Sequence, residues 1–311
     1  MNVVTALICA MLSLALAGCT PKEPAQRPAR KLQVVATLFP LYDMARTIGG
    51  ESAEVSLLLP PGAEAHSFEP RPGDILRLNS ADIFIYTGPF MEPWAESLIK
   101  GLDTKRLLVI NAGNGIPLLR QGEEQEHGDG HKHQGGGDPH IWLDFDNART
   151  MVTTILAGFT AQDPAHAAIF RRNAERYQAR LEELDRSYRA GLASCGTRTI
   201  IHGGHFAFGY LAKRYGLQYV AAYPPSGDSE PNVRQMAAMV GLIRSTGTSA
   251  IYYEELVSPR LADTLARETG TRLLLLNAAH NVNRDDLARG VTFPALMERN
   301  LENLRQGLRC R

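Results

Sequence analysis

Residues 163–193, DPAHAAIFRRNAERYQARLEELDRSYRAGLA, decide how the rest of the chain is organised. Asp163 before Pro164 is a helix cap followed by a first-turn proline, and no further proline interrupts the run. An apolar stripe through Ile169, Ala174, Tyr177, Leu181, Leu184 and Tyr188 faces one way. At about 1.5 Å per residue such a helix would run roughly 45 Å, longer than one small domain. It therefore reads as a connector between two lobes; a coiled coil is the alternative, and a heptad does not look sustained.

Both flanks alternate strands with helices. On the N-terminal side, strands are predicted at 32–37, 53–59, 83–86 and 107–111, with helices at 40–48, from Pro72, and at 93–102. On the C-terminal side, strands at 199–201, 218–222, 250–253 and 272–276 alternate with helices at 206–215, 232–245 and 259–269, and a last helix covers 293–308. This alternation argues for parallel, helix-covered sheets. The expected organisation is α/β: an N-terminal lobe over 32–162, the connecting helix over 163–193, and a C-terminal lobe over 194–311.

Thirty-three basic and 33 acidic residues cancel, and no basic stripe is present, so nucleic acid is excluded as a partner. With 44% apolar residues, the chain can build two cores. Residues 3–17 form an apolar run too short to span a bilayer, ending in Leu16-Ala17-Gly18-Cys19. The reading is a signal peptide over 1–18, although its first ten residues carry no Lys or Arg. A small-residue cleavage site before a cysteine resembles the lipobox of bacterial lipoproteins, which makes Cys19 the lipidated residue, and 19–31 a polar, Pro-rich tether. The expected location is the cell envelope, extracytoplasmic and anchored to a membrane. Setting Cys9 and Cys19 aside leaves Cys195 and Cys310, an even number in an oxidising compartment and hence a predicted disulfide, with two buried thiols as the alternative.

Four of the nine histidines fall in residues 123–144, EEQEHGDGHKHQGGGDPHIWLD. His127, His131 and His133 sit in a polar 123–137 loop that cannot bury enough apolar surface to order itself, a composition suited to weak metal collection. His140 instead leads into Ile141-Trp142-Leu143 and should be held in place. His66, His205 and His280 each follow a predicted strand, where open α/β sheets bind ligands. Four imidazoles from both halves can thus meet in an inter-lobe cleft. Such a set suits zinc in tetrahedral coordination; manganese would call for more carboxylate, with Glu254 and Glu255 the nearest options. A secreted zinc hydrolase is the rival of another class, but no HExxH pair is present.

The lipobox, HSFEP with His66, the acidic His-rich loop, DPHIWLD with His140, the long helix, and HFAFGYLAKRYGL with His205 together resemble the cluster A-I solute-binding lipoproteins of bacterial zinc and manganese ABC importers, of the zinc-uptake ZnuA type. The resemblance covers almost the whole mature chain. It implies two Rossmann-like lobes joined by a rigid helix, a metal between them, a monomer, and a cognate ABC permease as partner. Cell adhesion is a further activity of surface lipoproteins of this type, for which the sequence itself offers no argument. Carried over by residue, the ligands are His66, His140 and His205, with His202 the competitor for the third place. Phe206 stands where the family pattern has Asp, whereas Ala207-Phe208-Gly209-Tyr210 match. Where the family often supplies an Asp after the last strand, this chain has Asn277, so His280 is the expected fourth ligand, and Glu254 the reserve. Trp94 and Trp142 are read as packing residues.

Overall fold

The computed structural model describes residues 30–120, 137–223, 232–255 and 259–311. In the N-terminal half, β1 (Leu32–Ala36), α1 (Phe39–Gly49), β2 (Ala53–Leu57), α2 (Pro72–Ser80), β3 (Ile83–Tyr86), α3 (Pro93–Lys100) and β4 (Leu108–Asn111) build a parallel sheet of order β2-β1-β3-β4. A short antiparallel pair, β5 (Leu119–Arg120) and β6 (Gly137–Asp138), flanks residues 121–136. Then come α4 (Phe145–Gln162) and α5 (Ala167–Gly191). In the C-terminal half, β7 (Thr199–His205), α6 (Gly209–Tyr215), β8 (Gln218–Tyr223), α7 (Val233–Thr246), β9 (Ala250–Tyr253), α8 (Arg260–Thr269) and β10 (Arg272–Leu275) form a second parallel sheet, order β10-β9-β7-β8, and α9 (Arg284–Ala288) and α10 (Phe293–Gly307) close the chain.

Strand side chains alternate between two cores, as the twofold period of a strand requires. Val34, Ala36, Ile83 and Ile85 face the large core, while Val35, Phe84 and Tyr86 face a smaller one under α2 and α3. Ile200 and Ile201 divide in the same way, Ile201 joining Met239, Ile243 and Leu265 beneath α7 and α8. The large core is continuous through both sheets and α5. Residues Lys31–Arg311 consequently form one unit.

The connecting helix differs from expectation in three respects. Its α-helical part is 25 residues, or about 37 Å, because Asp163 and Pro164 open a 3-10 turn, Pro164–His166, in which the Asp163 carboxylate meets His166 Nδ1 at 2.6 Å. The buried stripe begins at Phe170, not at the half-buried Ile169. With that correction the buried positions 170, 174, 177, 181, 184 and 188 alternate steps of four and three, so a heptad seam does run the length of the helix. Its partners are α4, α1 and α10, drawn from both halves. Tyr177 Oη donates to Asp43 on α1 (2.9 Å), Phe293 N at the start of α10 donates to the same carboxylate oxygen (3.0 Å), and Tyr188 Oη donates to Met297 O (2.6 Å). Helix α4, unassigned from sequence, is capped by Asp144, which accepts from the backbone of Asp146 and Asn147. Cys195, just past α5, is joined to Cys310 by a disulfide with S–S 2.01 Å.

Candidate metal centre

Each of four histidines arrives on a different segment, and each is held by bonds that leave its ring aimed inward. His140 comes two residues after the end of β6, past Pro139. Asp138 Oδ1 accepts both the backbone N–H of His140 (3.0 Å) and its ring Nδ1–H (2.7 Å), so an Asx-type turn sets the backbone and the ring at once. Tyr210 Oη steadies that turn, donating to Asp138 O and accepting from Leu119 N, both at 2.9 Å. His205 ends β7, which continues through His202-Gly203-Gly204 where a loop was expected. Glu254, just after β9, accepts from the His205 backbone N–H (2.7 Å) and from its Nδ1 (2.7 Å). Gly204 is required there, since a Cβ at that position would collide with the Glu254 carboxylate.

His280 lies five residues beyond β10 on a turn shaped by its neighbours. Asn277 Oδ1 accepts from Ala279 N (2.7 Å), and Ala279 adopts φ 61°, a conformation alanine seldom takes. Phe39 N at the start of α1 donates to His280 O (2.9 Å), and Trp142 Nε1 donates to Ala278 O (2.8 Å). His66 sits in the loop after β2, where Trp94 Nε1 donates to Ala65 O (3.1 Å). Both tryptophans, read from sequence as packing residues, thus also brace the loops that carry His66 and His280 through their indole N–H groups.

The four rings converge. His205 Nε2 lies 3.2 Å from His140 Nε2 and 3.2 Å from His280 Nε2, and one nitrogen from each of His66, His140, His205 and His280 falls within 4.8 Å of all the others. Ligands about 2.0–2.1 Å from a tetrahedral zinc would stand roughly 3.3–3.4 Å apart. Because carboxylates occupy Nδ1 of His140 and His205, the Nε2 lone pairs of these two rings are the ones turned inward.

Electrostatics separates the rings. Burial, and then the neighbouring imidazoles, hold His140 and His280 well below the usual histidine range, so both are neutral and able to ligate. For His205, burial again disfavours the cation, but the Glu254 hydrogen bond and charge, with help from Glu64 and Asp138, outweigh it and raise the pKa. Burial pushes the Asp138 carboxyl up to about 7, against the pull of the His140 N–H and the His205 charge.

The competing candidates fall outside this group. His202 is buried on β7 with Nδ1 toward Tyr219 Oη (3.1 Å) and Nε2 3.8 Å from Glu254 Oε1, in a layer behind His205. Glu254 stands in that same layer. Glu255 accepts from Asn283 Nδ2 (2.6 Å) and from Asn277 Nδ2. Asn277, at the position where an acidic ligand was sought, spends its amide on that carboxylate and on the Ala279 turn. Phe206 packs on Tyr219, ring centroids 4.9 Å apart. His127, His131, His133 and Cys19 lie outside the described residues. Asp138 had no assigned role from sequence, although its place two residues before His140 in Asp-Pro-His is the spacing of an Asx turn.

A family model described as "Zinc-uptake complex component A periplasmic" matches residues 34–307. The chain is 34% identical over 304 residues to the "High-affinity zinc uptake system protein ZnuA" of Bacillus subtilis (strain 168), covering 96% of this chain and 95% of that protein. It is 33% identical over 311 residues to the "Zinc-binding lipoprotein AdcA" of Streptococcus pneumoniae (strain ATCC BAA-255 / R6), of which it spans 61%. Among solved structures, the Zn(II)-bound ZnuA-like domain of S. pneumoniae AdcA superposes with a TM-score of 0.76 at 32% identity, covering 90% of this chain and 99% of that one.

Proposed function

Since the chain belongs to the family of periplasmic zinc-uptake complex A components, which are solute-binding transport proteins and not enzymes, we propose that it captures Zn²⁺ outside the cytoplasm through His66, His140, His205 and His280 and delivers it to the permease of an ABC importer. The observation that carries this reading is the pair of 3.2 Å Nε2 separations, from His205 to His140 and to His280, in which the His140 and His205 rings have their other nitrogens engaged by carboxylates. Two bare lone pairs at that distance repel unless a cation or a proton lies between them, and the spacing suits a tetrahedral ion.

The donor set favours zinc. Four imidazole nitrogens match a borderline-soft cation, whereas manganese favours oxygen donors. Burying a dication costs heavily unless its charge is met. Here Glu254, and Asp138 once the ion's own charge favours its ionised form, stand buried behind their rings as counter-charges while the ligating atoms stay neutral. The protein acts as a monomer, held to the membrane by a lipid on Cys19, and the histidines at 127, 131 and 133 collect metal weakly in addition to the main site.

The test is competitive titration of zinc and manganese against the soluble domain from Thr20 onward, with and without residues 123–137. One tight zinc event that survives loop deletion, with weak manganese, supports the reading. Tight manganese binding, or loss of the tight event with the loop, overturns it.

A further inference from the structure

Asn281 follows His280 in the chain yet sends its amide N–H donors to the opposite lobe. Its Nδ2 donates to Pro60 O (2.7 Å) and to Ala63 O (3.0 Å), two carbonyls in the loop that carries His66. Its Oδ1 accepts from Val282 N (2.8 Å), and Val282 O accepts from Gly62 N (3.0 Å). The residue is 2% exposed. A primary amide has two N–H donors, and here each goes to a different carbonyl three residues apart, so the side chain fixes the tilt of the 60–66 loop as well as its distance. Without the amide, the Gly62–Val282 bond would tie that loop to the 280–282 turn at a single point.

We propose that Asn281 is the positioning residue for His66: it gauges the separation of His66 from His280 by clamping one ligand's loop to the turn that presents the other. The inference rests on the four-histidine reading of the site. Two arguments support it beyond the distances. His280 and Asn281 are consecutive, so any shift of the amide moves the His280 backbone, whose carbonyl is itself tied to Phe39 N (2.9 Å). His66 stands three residues past Ala63, and between them the loop gains a further tie, the Trp94 bond to Ala65 O. Removing the amide therefore loosens the His66 arm, while His140 and His205 keep their carboxylates and His280 keeps the Phe39 tie on its own carbonyl.

The experiment is stopped-flow release of Zn²⁺ from the full chain to excess chelator, in the wild type, Asn281→Ala, His66→Ala and the double variant, with visible spectra of the Co²⁺ form. Asn281→Ala should release zinc about ten- to thirtyfold faster, the loss of two modest hydrogen bonds, with association little changed. Its Co²⁺ bands should weaken toward those of His66→Ala. In the His66→Ala background the same substitution should add nothing, an outcome that a general structural role would not produce. Equal effects of Asn281→Ala in both backgrounds, or no acceleration, overturn the proposal while leaving the ligand set standing. If His66→Ala releases zinc at the wild-type rate, the ligand set itself fails, and the proposal with it. Should Asn281→Ala not fold, Asn281→Asp keeps the acceptor for Val282 N and loses the donor, and the same comparisons apply.

Discussion

Replacing Glu254 with Gln tests how the layer behind the ligands sets affinity. The carboxylate accepts His205 Nδ1 and His205 N, both at 2.7 Å, and lies one ring away from the ligating Nε2. Glutamine keeps the shape and one acceptor but removes a charge about 6 Å from the ion. Coulomb's law at an effective dielectric of about 20 bounds the loss at roughly 5 kcal/mol, and the amide dipole with local relaxation recovers much of it. Outer partners of ligating histidines are typically worth 10–100-fold in metal affinity, or about 1.4–2.7 kcal/mol, which is the expected loss at pH 8.

The pH dependence should change as well. Glu254 is what raises the His205 pKa against burial, so in the wild type a proton competes with the metal below that raised pKa, and affinity falls by about tenfold per pH unit from His205 alone. In Glu254→Gln, burial loses its main opponent, only the smaller contributions of Glu64 and Asp138 remain, the His205 pKa falls, and the proton competes only at lower pH. The two affinity curves, measured against a competing chelator from pH 8 to pH 5, should converge on the acid side. A constant ratio across that range, or no loss at pH 8, would refute the assignment of Glu254 as the partner that charges and orients His205.

Asp43→Ala should destabilise the fold by about 3–5 kcal/mol in urea titration, because it strands the Tyr177 hydroxyl and the Phe293 N–H, buried donors that lose a fully buried acceptor. A change below about 0.5 kcal/mol would mean that the three helices meeting at Asp43 are held by packing alone. Cys19→Ser should move the protein from the membrane pellet to the soluble fraction of fractionated cells; undiminished pelleting would sink the lipid-anchor reading.

The alternation of strands and helices was legible along the chain because buried parallel strands are short apolar runs, and their bounds agree with the structure to within a few residues. Helix α4 was not, since its pattern merges with the connecting helix and its cap, Asp144, sits inside a motif read for metal chemistry. The extension of β7 through His202-Gly203-Gly204-His205 was hidden too: paired glycines read as a loop, and here they admit the Glu254 carboxylate and the helix α8 backbone beside the strand. That four histidines could meet followed from the places of His66, His205 and His280 after strands on two lobes and of His140 at the head of a packed segment. That His205 joins the group while His202 stays behind it depends on an irregular register between β7 and β8, which local sequence does not encode.

By itself, then, the sequence determined the donor chemistry, the two α/β halves and the connector, since residue type and hydrophobic period are local properties. Only the tertiary structure decided the outer layer: that Asp138 and Glu254 select the ring nitrogens, that Ala279 takes a left-handed turn to present His280, and that Asn281 reaches back to Pro60 and Ala63. Those choices rest on hydrogen bonds between residues as many as 221 positions apart, whose geometry exists only once both sheets have packed against α5.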